Sequence, residues 1–314
     1  MLLKQLTEVY DILDSSTASG QKVADYLRSI KADANVEIQV LSGAKGSTDM
    51  VKVRIPGKNG KSQGGTAPTI GLLGRLGGLG ARPEMTGFVS DGDGALVALT
   101  LAAKLLDMQV KGDYLEGDVF ISTHVCPDAP TQPHKPVPFM GSPLDMAQVN
   151  QAEVTPELDA ILVVDTTKGN RVINHRGFAI SPTVKEGYIL KVSEDLLSLM
   201  EITTGRLPQV FALSQQDITP YGNGLYHLNS ILQPSTATKA PVVGVAITAE
   251  TAVPGCATGA THFTDCEEAA RFMLEVAKAY GRGSCSLYDA VEYQHLQALY
   301  GPMDHFQTKG RWEK

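Results

Sequence analysis

Residues 88–129 read FVSDGDGALVALTLAAKLLDMQVKGDYLEGDVFISTHVCPDA, and the order of elements in this stretch decides the fold. An acidic, glycine-punctuated turn, Ser90-Asp91-Gly92-Asp93-Gly94, opens an almost purely apolar helix expected from about Ala95 to Met108. A polar loop follows. A β-rich run from Asp118 to Thr123 then ends in His124, Cys126 and Asp128. Carboxylates are favoured at a helix N-terminus by the macrodipole, and there they are also well placed to hold a cation. Polar groups just beyond the carboxyl ends of strands are where open α/β sheets keep their ligands. The stretch thus combines a buried helix, a buried strand and the first place to look for a site.

Working outward, the spacing of Leu3, Leu6, Val9, Tyr10, Ile12 and Leu13 predicts a helix over 2–14, and Val23, Tyr26 and Leu27 predict a second over 21–30. Two strands are expected at Val36–Leu41 and Met50–Ile55. The Gly/Lys/Ser-rich loop from Pro56 to Pro68 then reads as mobile and exposed. Thr69–Leu73 is a short apolar strand running into Gly74-Arg75-Leu76-Gly77-Gly78, a glycine cluster without a Walker lysine or a GxGxxG context. Downstream, Pro127 to Pro143 is too proline-rich for regular structure. Leu158–Val164, ending at Asp165, is a continuous apolar run of the kind found in parallel sheets. Further strands are expected at Val172–Ser181, Tyr188–Val192, Val210–Leu213 and Val242–Ile247. Helices are expected from Ser193 to about Thr203, over Leu225–Leu232 and over Asp265–Tyr280. Strands alternating with helices define an α/β sandwich around a mainly parallel sheet.

Composition narrows the function classes. The chain has 314 residues, 43% hydrophobic and 19% charged, with a net charge of −7, which is ordinary globular composition. The acidic balance argues against nucleic acid as a partner, because phosphate backbones demand a basic face. No apolar run reaches the length of a membrane span. The N-terminus reads as an amphipathic helix rather than a signal peptide. Four widely spaced cysteines without a CxxC pair indicate neither a zinc knuckle nor a disulfide framework, so a cytoplasmic location is expected.

Several landmarks fall in one order: Ser19-Gly20 between the leading helices, Pro56-Gly57 after a strand, a strand into Gly74-Arg75, the acidic turn, the run into Cys126 and Asp128, AILVVD at 160–165, YGNG at 221–224 and TGATHFTDCEEA at 258–269. In this order the chain resembles the zinc-dependent exopeptidase superfamily, nearest its glutamyl-aminopeptidase branch. It also looks like a divergent family within it known by a domain-of-unknown-function label. The resemblance implies a three-layer α/β/α sandwich with a mainly parallel mixed sheet. Residues 1–281 would form one catalytic domain without the inserted dimerisation domain, and 282–314 a C-terminal extension. It also implies a two-zinc centre with a bridging Asp, a His and a carboxylate on each metal, and a Glu as general base. Asp165 matches the strand-end Asp and His262 the final His. The other positions depart. Arg75 stands in the expected His-x-Asp segment, Ser90 falls at the bridging Asp with Asp91 one residue on, and the THVCPD run replaces Glu-Glu.

A guanidinium cannot ligate a cation, so Arg75 is expected to replace one metal and to pair with Asp165. Asp91 and Asp93 are either metal carboxylates or a turn with a helix cap. His124, Cys126, Asp128 and His134 crowd one loop with donors suited to zinc. Taken singly, His124 reads as a satisfied strand-end histidine and Cys126 as a small buried hydrophobe or a nucleophile. His262 is a ligand or a turn histidine. Tyr221, Asn223 and His227 are candidate substrate contacts, with the Pro254-Gly255-Cys256 turn beside them. The metal set expected is Asp91, Asp93, His124, Asp165 and His262, with Asp128 as general base and Arg75 and Cys126 in the catalytic group.

The expectation that follows is a divergent, single-metal, aminopeptidase-like hydrolase acting on an amide or peptide-like small substrate. Zinc is the first choice of divalent ion, with manganese or cobalt next, and no metal as the remaining case. The alternatives are a metabolite-binding or structural homologue that has lost the metal site, and a single-metal cyclase or transferase. The partner expected is a small molecule or short peptide, with no nucleic acid and no membrane, and a homo-oligomer left open.

Overall fold

The computed structural model describes residues 2–75, 88–132, 139–253 and 261–311. Helices α1 (Leu3–Leu13) and α2 (Gly20–Ile30) lead into an antiparallel hairpin of β1 (Asn35–Gly43) and β2 (Gly46–Ile55). Ser19 caps α2 by accepting from Lys22 N, and Asp49 of β2 accepts from Gly20 N at 2.8 Å, which ties the helix start to the hairpin. Then come β3 (Ile70–Gly74), α3 (Asp93–Val110) and β4 (Val119–Val125). The short antiparallel pair β5 (Thr131–Gln132) and β6 (Phe139–Met140) follows, with α4 (Met146–Glu153) and β7 (Ala160–Thr167) after it. The second half adds β8 (Gly177–Ile180), β9 (Val184–Lys185), β10 (Tyr188–Ile189), α5 (Glu194–Thr204), β11 (Val242–Thr248), α6 (Phe263–Gly281) and α7 (Ala290–Tyr300).

Among the described residues the main sheet runs β1-β2-β4-β3-β7-β11-β9-β10, with β8 also paired to β11. Its centre, β4-β3-β7-β11, is parallel, and its flanks are antiparallel. Strands buried on both faces read as continuous apolar runs, which is why β7 is legible as AILVV. Side chains alternate between faces with period two. Ala160, Leu162 and Val164 pack with α1, α2, α3, α5 and α6, whereas Ile161 and Val163 pack on the opposite face against Ile231 and Leu232 of the 3-10 segment Ser230–Ala237. Helix α4 lies on that second face too, its Val149 against Met50 and Leu144. The architecture is a mixed α/β sheet flanked by helices, as expected. Helix α3 is apolar on almost every side and sits in the middle of the first layer, where a helix without a polar face belongs.

Several elements differ from the sequence reading. The loop after β2 is not a free segment: the buried Asp118 carboxylate accepts from Gly57 N, Ser62 N and Ser62 Oγ, each at 2.8 Å. The strand expected over Val172–Ser181 shortens to β8, that over Tyr188–Val192 to β10, and Val210 makes only a single bridge to Ile180. No helix forms over 225–229. Leu228 N and Asn229 N instead donate to Asp217, and the 3-10 segment starts at Ser230 with Pro234 inside it. Helix α4 and helix α7 were not expected. The glycines at 77 and 78, His134 and the Pro254-Gly255-Cys256 turn lie outside the described residues.

Candidate functional site at the carboxyl edge of the central strands

Period-two alternation puts three candidate groups on one face. Phe120 and His124 on β4, Leu73 and the following Arg75 after β3, and Ile161, Val163 and Asp165 on β7 share the face that carries α4 and the 3-10 segment. Because β4, β3 and β7 are parallel neighbours, His124, Arg75 and Asp165 arrive together at their carboxyl edge. The start of α3 is pressed onto the same edge from the other face. A Cβ on Gly94 would stand 1.8 Å from the Arg75 carbonyl oxygen and 2.7 Å from that of Val164. The glycine in SDGDG is therefore a close-approach residue. It lets the helix start touch both strand ends and delivers Asp91 and Asp93 there.

Arg75 is wholly buried, and its partner is Glu153 of α4 rather than Asp165. The guanidinium also donates to Asn150 Oδ1 at 2.6 Å and contacts Met146. Asn150 is held in turn by donating to Gln233 O and Thr236 Oγ1. Burial raises the Glu153 carboxyl, and Arg75 opposes that rise. The expected bidentate pair with Asp165 thus gives way to a single-contact ion pair with a helix the sequence reading lacked. The only advance signal was Asp145 followed three residues later by Gln148, which forms a capping box at the start of α4.

Asp165 accepts from Thr166 N at 2.7 Å and from Ser230 Oγ at 3.3 Å, and burial pushes its carboxyl up to about 7, Asp91 adding to the rise and Arg75 opposing it. Tyr221 hydrogen-bonds Ser230 and feels both Asp165 and Arg75, its phenol raised to about 12 chiefly by burial. Ser230 had drawn no attention in the sequence. Asp91, Thr166, Tyr221 and Ser230 are partly exposed around the buried Asp165 and Arg75, so the cluster is polar and reachable from outside.

The other carboxylate of the acidic turn, Asp93, is completely buried and lies 3.2 Å from Lys168 Nζ, itself buried just beyond β7. The two are close enough to pair but misaligned for a hydrogen bond. Burial raises the Asp93 carboxyl and Lys168 pulls it back, while the Thr261 hydroxyl and the Cys266 thiol also lie beside it. Lys168 is a second functional candidate that the sequence reading missed. A lysine three residues past a buried strand looks like a surface residue.

The remaining candidates separate. His124 is buried, its Nδ1 3.1 Å from Thr48 Oγ1, and burial with Arg75 nearby drives its pKa down to about 3, so it is neutral. Cys126 packs with Val89, Ala129 and Met140 and is raised to about 11 by burial, which makes it a buried hydrophobe and a poor nucleophile. Asp128 is exposed beyond the strand end. His262 is half-exposed at the N-cap of α6 and bonds Asp265 Oδ2 through Nδ1 at 3.2 Å, the turn role. Asn223 and His227 both bond Thr219, and they shape the loop that carries Tyr221, whose ring stacks edge-on against His227.

These residues do not fit the metal centre that the resemblance implies. Asp93 is matched by an ammonium, Arg75 by Glu153, His124 by Thr48 and His262 by Asp265. Among the described residues no three His, Cys, Asp or Glu side chains converge as a ligand set.

The fold is similar to that of solved aminopeptidase structures. A cytosol aminopeptidase from Coxiella burnetii superposes with a TM-score of 0.54 at 12% identity, over 88% of this chain and 68% of that one. The leucine aminopeptidase of Caenorhabditis elegans gives 0.51 at 12% identity, over 91% and 66%. The chain therefore spans about two thirds of the length of either enzyme, and at this identity the likeness is one of fold. No curated protein matches the sequence. Residues 39–310 match the family described as Protein of unknown function (DUF1177), and the chain belongs to that family.

Proposed function

We propose that this protein is a small-metabolite-binding member of the aminopeptidase-like fold whose polar site works through fixed protein cations rather than a bound metal. The observation that carries this reading is the fully buried pair of Lys168 and Asp93, which gives the acidic turn an internal positive partner. The reachable surface beside it consists of Asp91, Thr166, Tyr221 and Ser230 around the Asp165 carboxylate. Asp165 has no cation within ion-pair distance among the described residues, and Asp91 adds negative charge nearby. That chemistry suits a ligand bearing an amine or ammonium group, with hydroxyl donors to orient it, such as an amino amide or short peptide.

A second reading rests on a separate observation. Asp91 stands two residues before Asp93 in the acidic turn and adds to the rise of both the Asp93 and Asp165 carboxyls, and carboxylate oxygens are the donors a divalent ion takes. This is the single-metal hydrolase, with zinc, manganese or cobalt. Elemental analysis of the purified protein, followed by a thermal-shift panel of amino amides, dipeptides and N-acyl amino acids with and without chelator, decides between them. The metal-free reading expects no stoichiometric metal and ligand-induced stabilisation that chelator leaves unchanged. Stoichiometric zinc, manganese or cobalt together with metal-dependent hydrolysis of the panel would overturn it.

A further inference from the structure

The two ends of the main sheet are finished differently. One end closes with β9 and β10, two-residue strands too short to template another chain. The other ends in β1, nine residues long, whose only strand neighbour among the described residues is β2. In an antiparallel ladder alternate residues bond the neighbour, and those between them turn their N–H and C=O outward. Val36 N donates to Ala34 O and Val36 O accepts from Arg28 Nη2 at 2.9 Å, so the even-numbered residues are the outward ones. Ile38, Val40 and Ser42 continue that edge. Natural edge strands are blunted by lysine, proline or a bulge. β1 has none of these. Its register with β2 is unbroken from Asn35 opposite Arg54 to Gly43 opposite Gly46. Its one charged residue, Glu37, is already paired with Lys52 at 3.6 Å and Arg54 at 3.3 Å.

Val40 stands at the middle of the open length. Arg28 occupies the edge at Val36, and β1 ends at Gly43, so the edge left open among the described residues is 37–43. Val40 is also 67% exposed, because α2 packs with Val36 and Ile38 but begins at Gly20, level with Ile38. We infer that β1 is a dimerisation edge: two copies of this chain pair their β1 strands antiparallel about a two-fold axis through Val40, and one sheet runs through both. In that register Ile38 of each copy faces Ser42 of the other, Glu37 faces Gly43, and the two Val40 side chains meet on the axis. A two-fold interface requires a surface that complements itself. This edge does so, since the open length is the same read in either direction from Val40 and sets no like charges opposite each other. A β-branched cross-strand pair at its centre is favourable, and it covers the apolar side chain that α2 leaves bare.

Sedimentation velocity and light scattering of the full chain, at loadings from about 1 to 200 μM, test this over the range that suits a small interface. Wild type is expected to move with concentration from the chain mass of 33.5 kDa towards twice that value. Val40→Pro removes an N–H that points at the other copy rather than at β2, and proline is tolerated on such an edge. It is expected to melt with wild type at the lowest loading and to weaken the dimer about 30-fold, one central hydrogen bond being lost from each copy. Val40→Asp sets two carboxylates face to face on the axis and is expected to weaken the dimer with the backbone intact. Val40→Cys is expected to form a disulfide-linked dimer on oxidation, and Ser42→Cys, which faces Ile38, is not. A wild type that stays at 33.5 kDa throughout overturns the inference. So does a dimer that Val40→Asp leaves intact, whether or not the proline variant folds, and so does crosslinking of Ser42→Cys as fast as Val40→Cys.

Discussion

Replacing Arg75 by Met, Glu153 by Leu, and both together tests the buried pair on which the site is built. The side chains are 1% and 0% exposed and about 78 residues apart in the chain, so each single variant strands a group in a medium with little water. Breaking one side of such a pair costs about 3–5 kcal/mol, whereas replacing both by apolar groups of similar volume is near neutral or stabilising. The two single variants should not behave alike. In E153L the guanidinium stays charged, since arginine does not lose its proton inside proteins; the full penalty is expected at every pH from 5 to 9. In R75M the Glu153 carboxyl escapes by taking up a proton. Burial already raises it and Arg75 is what opposes the rise, so its loss raises the carboxyl further. A carboxyl raised in the folded state contributes stability that is fully present below its unfolded value and is lost as pH climbs through the folded one. R75M is therefore expected to be least damaged at pH 5 and progressively worse towards pH 8. Asp165 adds to the same trend, because it too loses the pull of Arg75. Asn150 Oδ1 loses its donor in R75M, about 1 kcal/mol more. Urea unfolding midpoints at pH 5, 6.5 and 8 for the four proteins give the cycle, with a coupling energy of about 3 kcal/mol expected. Additive single losses below about 1 kcal/mol, or an R75M curve flat in pH, would refute the pairing and the reasoning built on it.

Three further outcomes follow from the same geometry. Gly94→Ala is expected to cost about 2–3 kcal/mol or prevent folding, since its Cβ would meet the Arg75 carbonyl oxygen at 1.8 Å; a melting temperature within a degree of wild type would show that α3 does not seat on the strand ends. His124, held neutral with a pKa of about 3 against 6.5, contributes stability that is present above pH 6.5 and lost as pH falls towards 3, up to on the order of 4 kcal/mol. Acid titration of the urea midpoint in wild type and H124F checks this, the variant losing less than wild type between pH 7 and 4. Cys126, raised to about 11 from 9.0, is expected to alkylate at least ~100-fold more slowly than an ordinary thiol at pH 7.5, as followed by mass spectrometry of iodoacetamide-treated protein; rapid modification would return it to the list of nucleophiles.

The parts of the fold that could be read from sequence are those whose burial is symmetrical. β7 and β11 are covered on both faces and appear as unbroken apolar runs, and α3 is covered all round and appears as an apolar helix. The parts that escaped are those whose burial is partial or whose hydrogen bonds go to distant side chains. Helix α4 has only Val149, Asn150 and Glu153 buried, so it shows no apolar stripe. Segment 214–229 is organised by one carboxylate, Asp217, which accepts from Ser214 N, Leu228 N and Asn229 N. Nothing in the spacing of apolar residues registers a loop tied to a single buried acceptor, so a helix was expected where none forms.

The site divides along the same line. Positions were legible because strand period and glycine placement fix them: Arg75, Asp165 and the acidic turn do meet at one edge, as a strand-end reading predicts. Partners were not, because a buried charge accepts whichever opposite charge the fold carries to it, at any sequence distance. Arg75 found Glu153 and Asp93 found Lys168, neither of which has a local signature. That distinction bears on function directly. Candidate ligands read from sequence are residues in the right place, while ligation requires that their charge be unspent. At this edge the acidic turn and the arginine keep their places, Asp93 is paired with Lys168 and Arg75 with Glu153, and Asp165 has Thr166 and Ser230 as its hydrogen-bond donors, with Tyr221 bonded to the same Ser230.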